Sequence, residues 1–297
     1  MGHTMTLLGE FAQARRHYDK AIALYNPAEH RQLAMRFGQD IMTTVLSYRC
    51  LTLWSLGYPE SGLKNANQAI EVARETGQAA SLMFALFMSS IFHIACRNYS
   101  LANDLARELF TLAKDKGALL WKASSLVFQG CSSVGSGKPA DAVALITSGI
   151  DGYRSTGATA LLTVSLSHLG KAYADLGQFN EGWRYINEAS HIVETAEEKI
   201  WEAELNRISG EIVMLSKPLD ATTAVEQYFA NALAIACKQQ AKSWELRASM
   251  SLARLWRDQG KVQQARELLA PVYGWFTEGF DTLDLKEAKA LLEELAS

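Results

Sequence analysis

A period of forty residues runs through this chain and leaves it few ways to fold. An apolar helical segment ends at a turn, an aromatic often follows, and a small residue stands five positions on: LLGEFAQA, SLGYPESG, ACRNYSLA, GSGKPADA, DLGQFNEG and DQGKVQQA. The turns fall at Gly9, Gly57, Arg97, Gly137, Gly177 and Gly260, with Lys217 of MLSKPLDA on the same ladder, and from 57 to 217 the step is forty throughout. Seven positions before the turns stand Gly2, Cys50, Ser90, Gly130, Gly170, Gly210 and Ala253, all small. Five after stand Ala14, Gly62, Ala102, Ala142, Gly182 and Ala265, and twelve after stand Ala21, Ala69, Gly149 and Ala189. Seven residues are nearly two helical turns, so these ladders share one helix face, where short side chains let two helices cross closely.

Large apolar residues fill the positions between, as at Leu46, Leu86, Leu126 and Leu166, again forty apart. The i, i+3, i+4 spacing of helices holds in YDKAIALY and ANDLARELFTLA, and no segment alternates with period two. Gly77, Gly117 and Gly157 lie twenty residues after the turns and are expected to end the second helix of each unit in a left-handed cap. Each unit is therefore a helical hairpin. A chain of 297 residues is longer than one compact core usually supports. An array in which each hairpin packs on its neighbour resolves this, and no Gly/Ser/Pro-rich stretch marks a linker, so residues 1–297 are expected to form one superhelical domain.

The ladders resemble the tetratricopeptide repeat, whose motif places small residues at its eighth, twentieth and twenty-seventh positions and a turn glycine at its fifteenth. That unit spans 34 residues; here the helices are longer. The resemblance implies an all-α, right-handed solenoid of about seven helix-turn-helix repeats. Two irregularities stand out. The first step is 48 residues, the excess falling near Tyr25–His30, where Pro27 disfavours helix at Asn26 and an extended loop is expected. At the other end Asp284 and Glu287 read as a capping box opening a last amphipathic helix, about 284–295, that covers the final hairpin. The first turn comes already at Gly9, so the leading helix is short, and the chain reads as the C-terminal part of a longer protein.

A net charge of -3, from 29 basic and 32 acidic residues, offers no positive field for nucleic acid or an anionic membrane. No apolar run approaches the roughly 20 residues a membrane span needs, and MGHTMTLLGEFAQARR lacks the order of a signal peptide, so a cytoplasmic location is expected. Cys50, Cys96, Cys131 and Cys237 are far apart and read as buried apolar groups, and neither they nor the six histidines show metal-ligand spacing. No cofactor, metal or catalytic residue is expected. Gly135-Ser136-Gly137-Lys138 is not a phosphate loop, since Ser132 and Pro139 stand where that motif needs glycine and Ser or Thr. His93 and His168 read as packed histidines, and Glu197-Glu198 and Glu293-Glu294 as solvated helix faces.

Residues 24 to 63, with LYNPAEHRQLAMRFGQD and LSYRCLTLWSLGYPESGL, and the tail 252–295 are similar to the C-terminal repeat region of bacterial proteins that join a class III adenylate or guanylate cyclase domain to a signalling ATPase domain. The resemblance implies a sensor or scaffold arm in bacterial signal transduction that regulates a cyclase and ATPase in cis or by docking, without chemistry of its own. A separate, self-associating adaptor and an enzyme with a cryptic site are the alternatives.

In such repeats the first helix of each hairpin lines the concave surface, and its groove positions lie 13, 10, 6, 3 and 2 residues before the turn. Early units present Leu51, Trp54, Phe84, Phe87 and Ile91; late ones present Lys171, Asp175, Glu204, Arg207, Glu211, Arg247, Arg254 and Arg257. A groove apolar at one end and rich in guanidinium at the other suits a protein or amphipathic peptide, or a small acidic ligand. The competing reading has the aromatics packing on adjacent helices and Glu204, Arg207 and Glu211 pairing along one helix.

Overall fold

The computed structural model describes residues 1–216 and 221–296, the side chains of Phe37 and Ala221 excepted; Lys217, one turn of the ladder, lies outside them. The chain forms α1 (Gly2–Leu7), α2 (Phe11–Leu24), α3 (Pro27–His30), α4 (Leu33–Phe37), α5 (Ile41–Ser55), α6 (Pro59–Thr76), α7 (Ala79–Ala95), α8 (Tyr99–Asp115) and α9 (Leu119–Gly135). There follow α10 (Pro139–Ser155), α11 (Leu162–Asp175), α12 (Phe179–Ala196), α13 (Glu202–Ser216), α14 (Ala221–Lys238), α15 (Lys242–Asp258), α16 (Val262–Gly274) and α17 (Leu283–Glu294). Odd-numbered α5 to α15 each pair with the next helix as a hairpin, and each also packs on the next odd-numbered helix, which gives an α-solenoid. No strand occurs among the described residues, and none of their helices is long and apolar enough to cross a membrane.

The turns sit where the ladder places them. Gly9, Gly57, Gly137, Gly177 and Gly260 have φ between 74° and 89°, a region closed to most side chains. Arg97 holds the same left-handed conformation at φ 60° without being glycine. The second ladder behaves likewise: Gly77, Gly117 and Gly157 have positive φ, and Glu197 continues the series forty residues on at φ 53°. The small residues explain the close helix crossing. A Cβ on Gly170 would stand 3.0 Å from the Gly182 carbonyl oxygen, and one on Gly182 would stand 3.0 Å from that of Gly170.

Three local expectations are corrected. The segment after α2 is not an extended loop: Pro27 starts a one-turn helix whose end Asn26 caps by accepting from the Ala28 N–H at 3.1 Å, and α4 follows. Proline at the first helical position costs no hydrogen bond, so Pro27 opens helix rather than preventing it. Asp284 and Glu287 do not cap α17; Thr282 is its N-cap residue, and both carboxylates turn toward arginines. Glu198 is buried, not solvated, and accepts the backbone N–H of Leu161 and Thr163 at the start of α11, where burial raises its carboxyl. Glu197, Glu293 and Glu294 are exposed, and His93 and His168 lie inside.

The superhelix closes on itself. The Leu7 carbonyl accepts from the Lys199 and Ile200 N–H groups at 2.7 and 3.1 Å, Glu278 accepts from the Ser61 N–H at 2.7 Å, and Ser243 donates to the Trp54 carbonyl. Trp54 of α5 meets Trp244 of α15 edge-on, ring centroids 4.5 Å apart, and Trp244 meets Trp201 at 4.8 Å. Early and late units thus share one core. Helix α17 covers α15 and α16 through Leu285, Ala288, Leu291 and Leu295.

Candidate binding cavity

Closure leaves a cavity of about 260 Å³ inside the superhelix. Its walls come from the turn before α8 (Arg97), the first residue of α8 (Tyr99), the end of α9, and then α11 (His168, Lys171, Asp175), α13 (Glu204, Arg207, Ile208, Glu211), α15 (Arg247, Met250, Arg254) and α17 (Glu287). Register decides who enters: Lys171, Glu211 and Arg254 all stand six residues before positions 177, 217 and 260 of the sequence ladder, on three consecutive inner helices.

Eight of the charges form one connected network, and Lys171 and Asp175 form a pair beside it. Arg207 grips both oxygens of Glu204, at 2.8 and 2.9 Å, and also holds Glu211. Arg247 reaches Glu204 at 3.5 Å and Asp284 at 2.8 Å, and donates to the Ala95 carbonyl. Its guanidinium lies 5.3 Å from the Trp54 ring centroid and 5.2 Å from that of Trp244, a cation held between aromatic faces. Arg97 bonds Asp284 at 3.1 Å and Glu287 at 2.9 Å, Arg254 bonds Glu287 at 3.0 Å, and Lys171 bonds Asp175 at 2.5 Å. Five cations (Arg97, Lys171, Arg207, Arg247, Arg254) therefore face five carboxylates (Asp175, Glu204, Glu211, Asp284, Glu287), and the set is neutral.

Burial and pairing compete in this network, and pairing prevails. Burial by itself would raise the Glu204 carboxyl, yet the guanidinium groups of Arg207 and Arg247 hold it down at about 2. Burial likewise opposes ionisation of Glu287, and Arg97 and Arg254 bring it below its usual value. His168 at the wall is pushed down chiefly by burial; its Nδ1 lies 2.8 Å from the Val164 carbonyl. The site presents fixed, preorganised charge rather than a proton donor poised near neutrality. Among the described residues no group of three or more His, Cys, Asp or Glu is placed to hold a metal.

Of the groove residues expected from the repeat register, Lys171, Arg207, Arg247 and Arg254 line this cavity. Arg257 does not; it pairs at the surface with Asp258 and Glu294, each at 2.9 Å. Leu51, Trp54, Phe84, Phe87 and Ile91 are all buried in the core and line no part of the cavity. Phe84 and Phe87 pack edge-on against Trp121, and Trp54 is taken up by Trp244. Three charged residues of the network were not foreseen as site residues. Arg97 could have been noticed, being a bulky side chain on the ladder of turn glycines. Asp284 and Glu287 gave no such signal, because their spacing also fits a capping box.

Comparison with known proteins agrees with this architecture. Residues 246–271 match the family model of the tetratricopeptide repeat. None of the curated proteins matches the chain at a significant level. Among solved structures, the apo form of RapI is similar with a TM-score of 0.61 at 15% sequence identity, over 99% of this chain and 100% of that one. The Rap conjugation gene regulator of the plasmid pLS20, solved with the Phr* peptide, is similar with a TM-score of 0.67 at 10% identity, over 100% of this chain and 73% of that one. At these identities the likeness establishes the fold. The chain is a tetratricopeptide-like helical solenoid.

Proposed function

We propose that this chain is a non-catalytic binding module that receives a peptide or a small peptide-like ligand in its inner cavity. The observation that carries the reading is the charged lining itself. Nine ionic side chains are brought from several separate helices to one space inside the superhelix, with Asp284 behind them pairing Arg97 and Arg247. Burying charge is costly and a core of apolar side chains would serve stability better, so a hollow lined with paired charge is suited to recognition. A similar fold, the pLS20 regulator, was solved holding a peptide, which supports the same use of the interior here. The finer reading is that occupancy of this arm regulates a class III cyclase and ATPase, in cis or by docking, as the resemblance of residues 24–63 and 252–295 implies.

Selection of random peptides by display on the immobilised chain tests the binding role. Enriched peptides are expected to lose binding to the Arg254→Glu variant, which reverses one charge at the cavity mouth while leaving the core untouched. Peptides that bind both forms equally would place recognition elsewhere and overturn the reading. Adding the chain, with and without an enriched peptide, to a purified class III cyclase tests the finer part through the rate of cyclic nucleotide synthesis.

A further inference from the structure

The charges around the cavity are not equally committed. Arg247 is only 7% exposed and is tied at once to Glu204, Asp284 and the Ala95 carbonyl, so turning it toward a ligand would break three buried contacts. Lys171 and Asp175 hold each other, and releasing either one strands its partner. Two groups differ. Arg254 is 41% exposed and pairs with Glu287, which keeps Arg97 when Arg254 turns away. Glu211 is 29% exposed and pairs with Arg207, which keeps both oxygens of Glu204 when Glu211 turns away. Of these, Arg254 is the more exposed cation and Glu211 the one anion, and both can change partners at small cost.

We propose that the cavity recognises a zwitterion, a free amino acid or a short peptide with open ends, whose carboxylate is taken by Arg254 and whose ammonium is taken by Glu211. The proposal rests on the binding role above and names the chemistry of the ligand. Three observations support it. A lone anion or a lone cation would unbalance a set of five charges against five, whereas a zwitterion preserves the balance. Arg254 and Glu211 occupy the same register on neighbouring inner helices, and such helices pack with axes about 8–10 Å apart, a gap that a short ligand spans. The volume of about 260 Å³ is that of roughly nine waters at about 30 Å³ each, room for an amino acid or a very short peptide. Ile208 and Met250 supply an apolar wall for its side chain, and the guanidinium fork matches a carboxylate bidentately.

Calorimetric titration of the full chain tests this, with the twenty free amino acids singly and with pools of unblocked tripeptides as probes. Each binder is then repeated with its amine acetylated or its carboxyl amidated. An unblocked probe is expected to bind, and blocking either end to weaken it about tenfold or more, the scale of one lost charge-assisted hydrogen bond. Arg254→Gln is expected to erase the difference between acid and amide, and Glu211→Gln the difference between free and acetylated amine, each sparing the other. Should either variant fail to fold, the end-blocked probes on the unaltered chain decide alone. Binding indifferent to both ends, or no binding by any unblocked probe, overturns the zwitterion. Display-selected peptides that bind through Arg254 with both ends blocked would overturn it too, while leaving the binding role intact.

Discussion

The inner helices α5 and α7 and the inner helices α13 and α15 occupy the same place in the repeat yet meet the rest of the molecule in opposite ways. The first pair presents Leu51, Trp54, Phe84, Phe87 and Ile91, and every one is buried against another helix. The second pair presents Glu204, Arg207, Glu211, Arg247 and Arg254, which surround a hollow. The difference lies in what each face can do without water. Apolar surface gains about 25 cal/mol per Å² when covered, so the early face draws the superhelix shut around Trp244. Ionised groups must keep partners or water, so the late face stops short of collapse and leaves space lined with ion pairs. One register therefore yields a seam in one half and a site in the other.

Breaking the seam should have the largest effect. Trp244 is 2% exposed and joins Trp54 to Trp201, and Trp244→Ala is expected to cost about 3–5 kcal/mol, measured by urea unfolding. A loss under about 1 kcal/mol would mean that the early and late units do not share a core. Next comes Arg247→Met, which removes the bolt between Ala95, Glu204 and Asp284. The expected loss is about 3 kcal/mol, because Glu204 keeps Arg207 and Asp284 keeps Arg97; circular dichroism during thermal unfolding reads it.

Acid should act in two pH windows, the upper set by buried histidines and the lower by the cavity carboxylates. In the early half His93 is buried and its pKa falls from 6.5 to about 4 through desolvation. The unfolded chain takes up that proton first, so stability should decline as pH falls from about 6.5 to 4, by about 3 kcal/mol. In the late half Glu204 is lowered from 4.5 to about 2. Its contribution is complete above pH 4.5 and is lost as pH falls through that lower window. His93→Gln should make the upper limb of the stability profile shallower, with buried His168 supplying what remains, and leave the lower one; an unchanged upper limb would remove His93 as a cause. The smallest effect on stability belongs to Arg254→Gln, within about 1 kcal/mol because the pair it breaks is half in water. Its expected consequence is lost ligand binding at nearly unchanged melting temperature, and a large drop in stability would make Arg254 a structural residue instead.

Much of the fold was legible because sterics act locally. Gly57, Gly137 and Gly177 mark left-handed turns that few other residues adopt, and Gly170 and Gly182 mark a crossing too close for a Cβ. The start of α3 is not legible from Asn26 alone, because Pro27 disfavours helix at the residue before it and favours helix from its own position on. Most of the charged lining was legible too, since Lys171, Asp175, Glu204, Arg207, Glu211, Arg247 and Arg254 follow from the repeat register. The rest was not, because Asp284 lies 37 residues from Arg247 and 187 from Arg97 in the chain, and nothing local announces that they meet.

The sequence by itself determined the repeat, the hairpins, their turns and which helix of each pair faces inward, because these depend on interactions within about forty residues. Tertiary structure alone decided that the early inner face would be consumed in closing the superhelix, that Arg97, Asp284 and Glu287 would join the late one, and that a hollow would remain. Those outcomes depend on how small rotations between successive hairpins add up until the first units meet the last. No single repeat contains that sum.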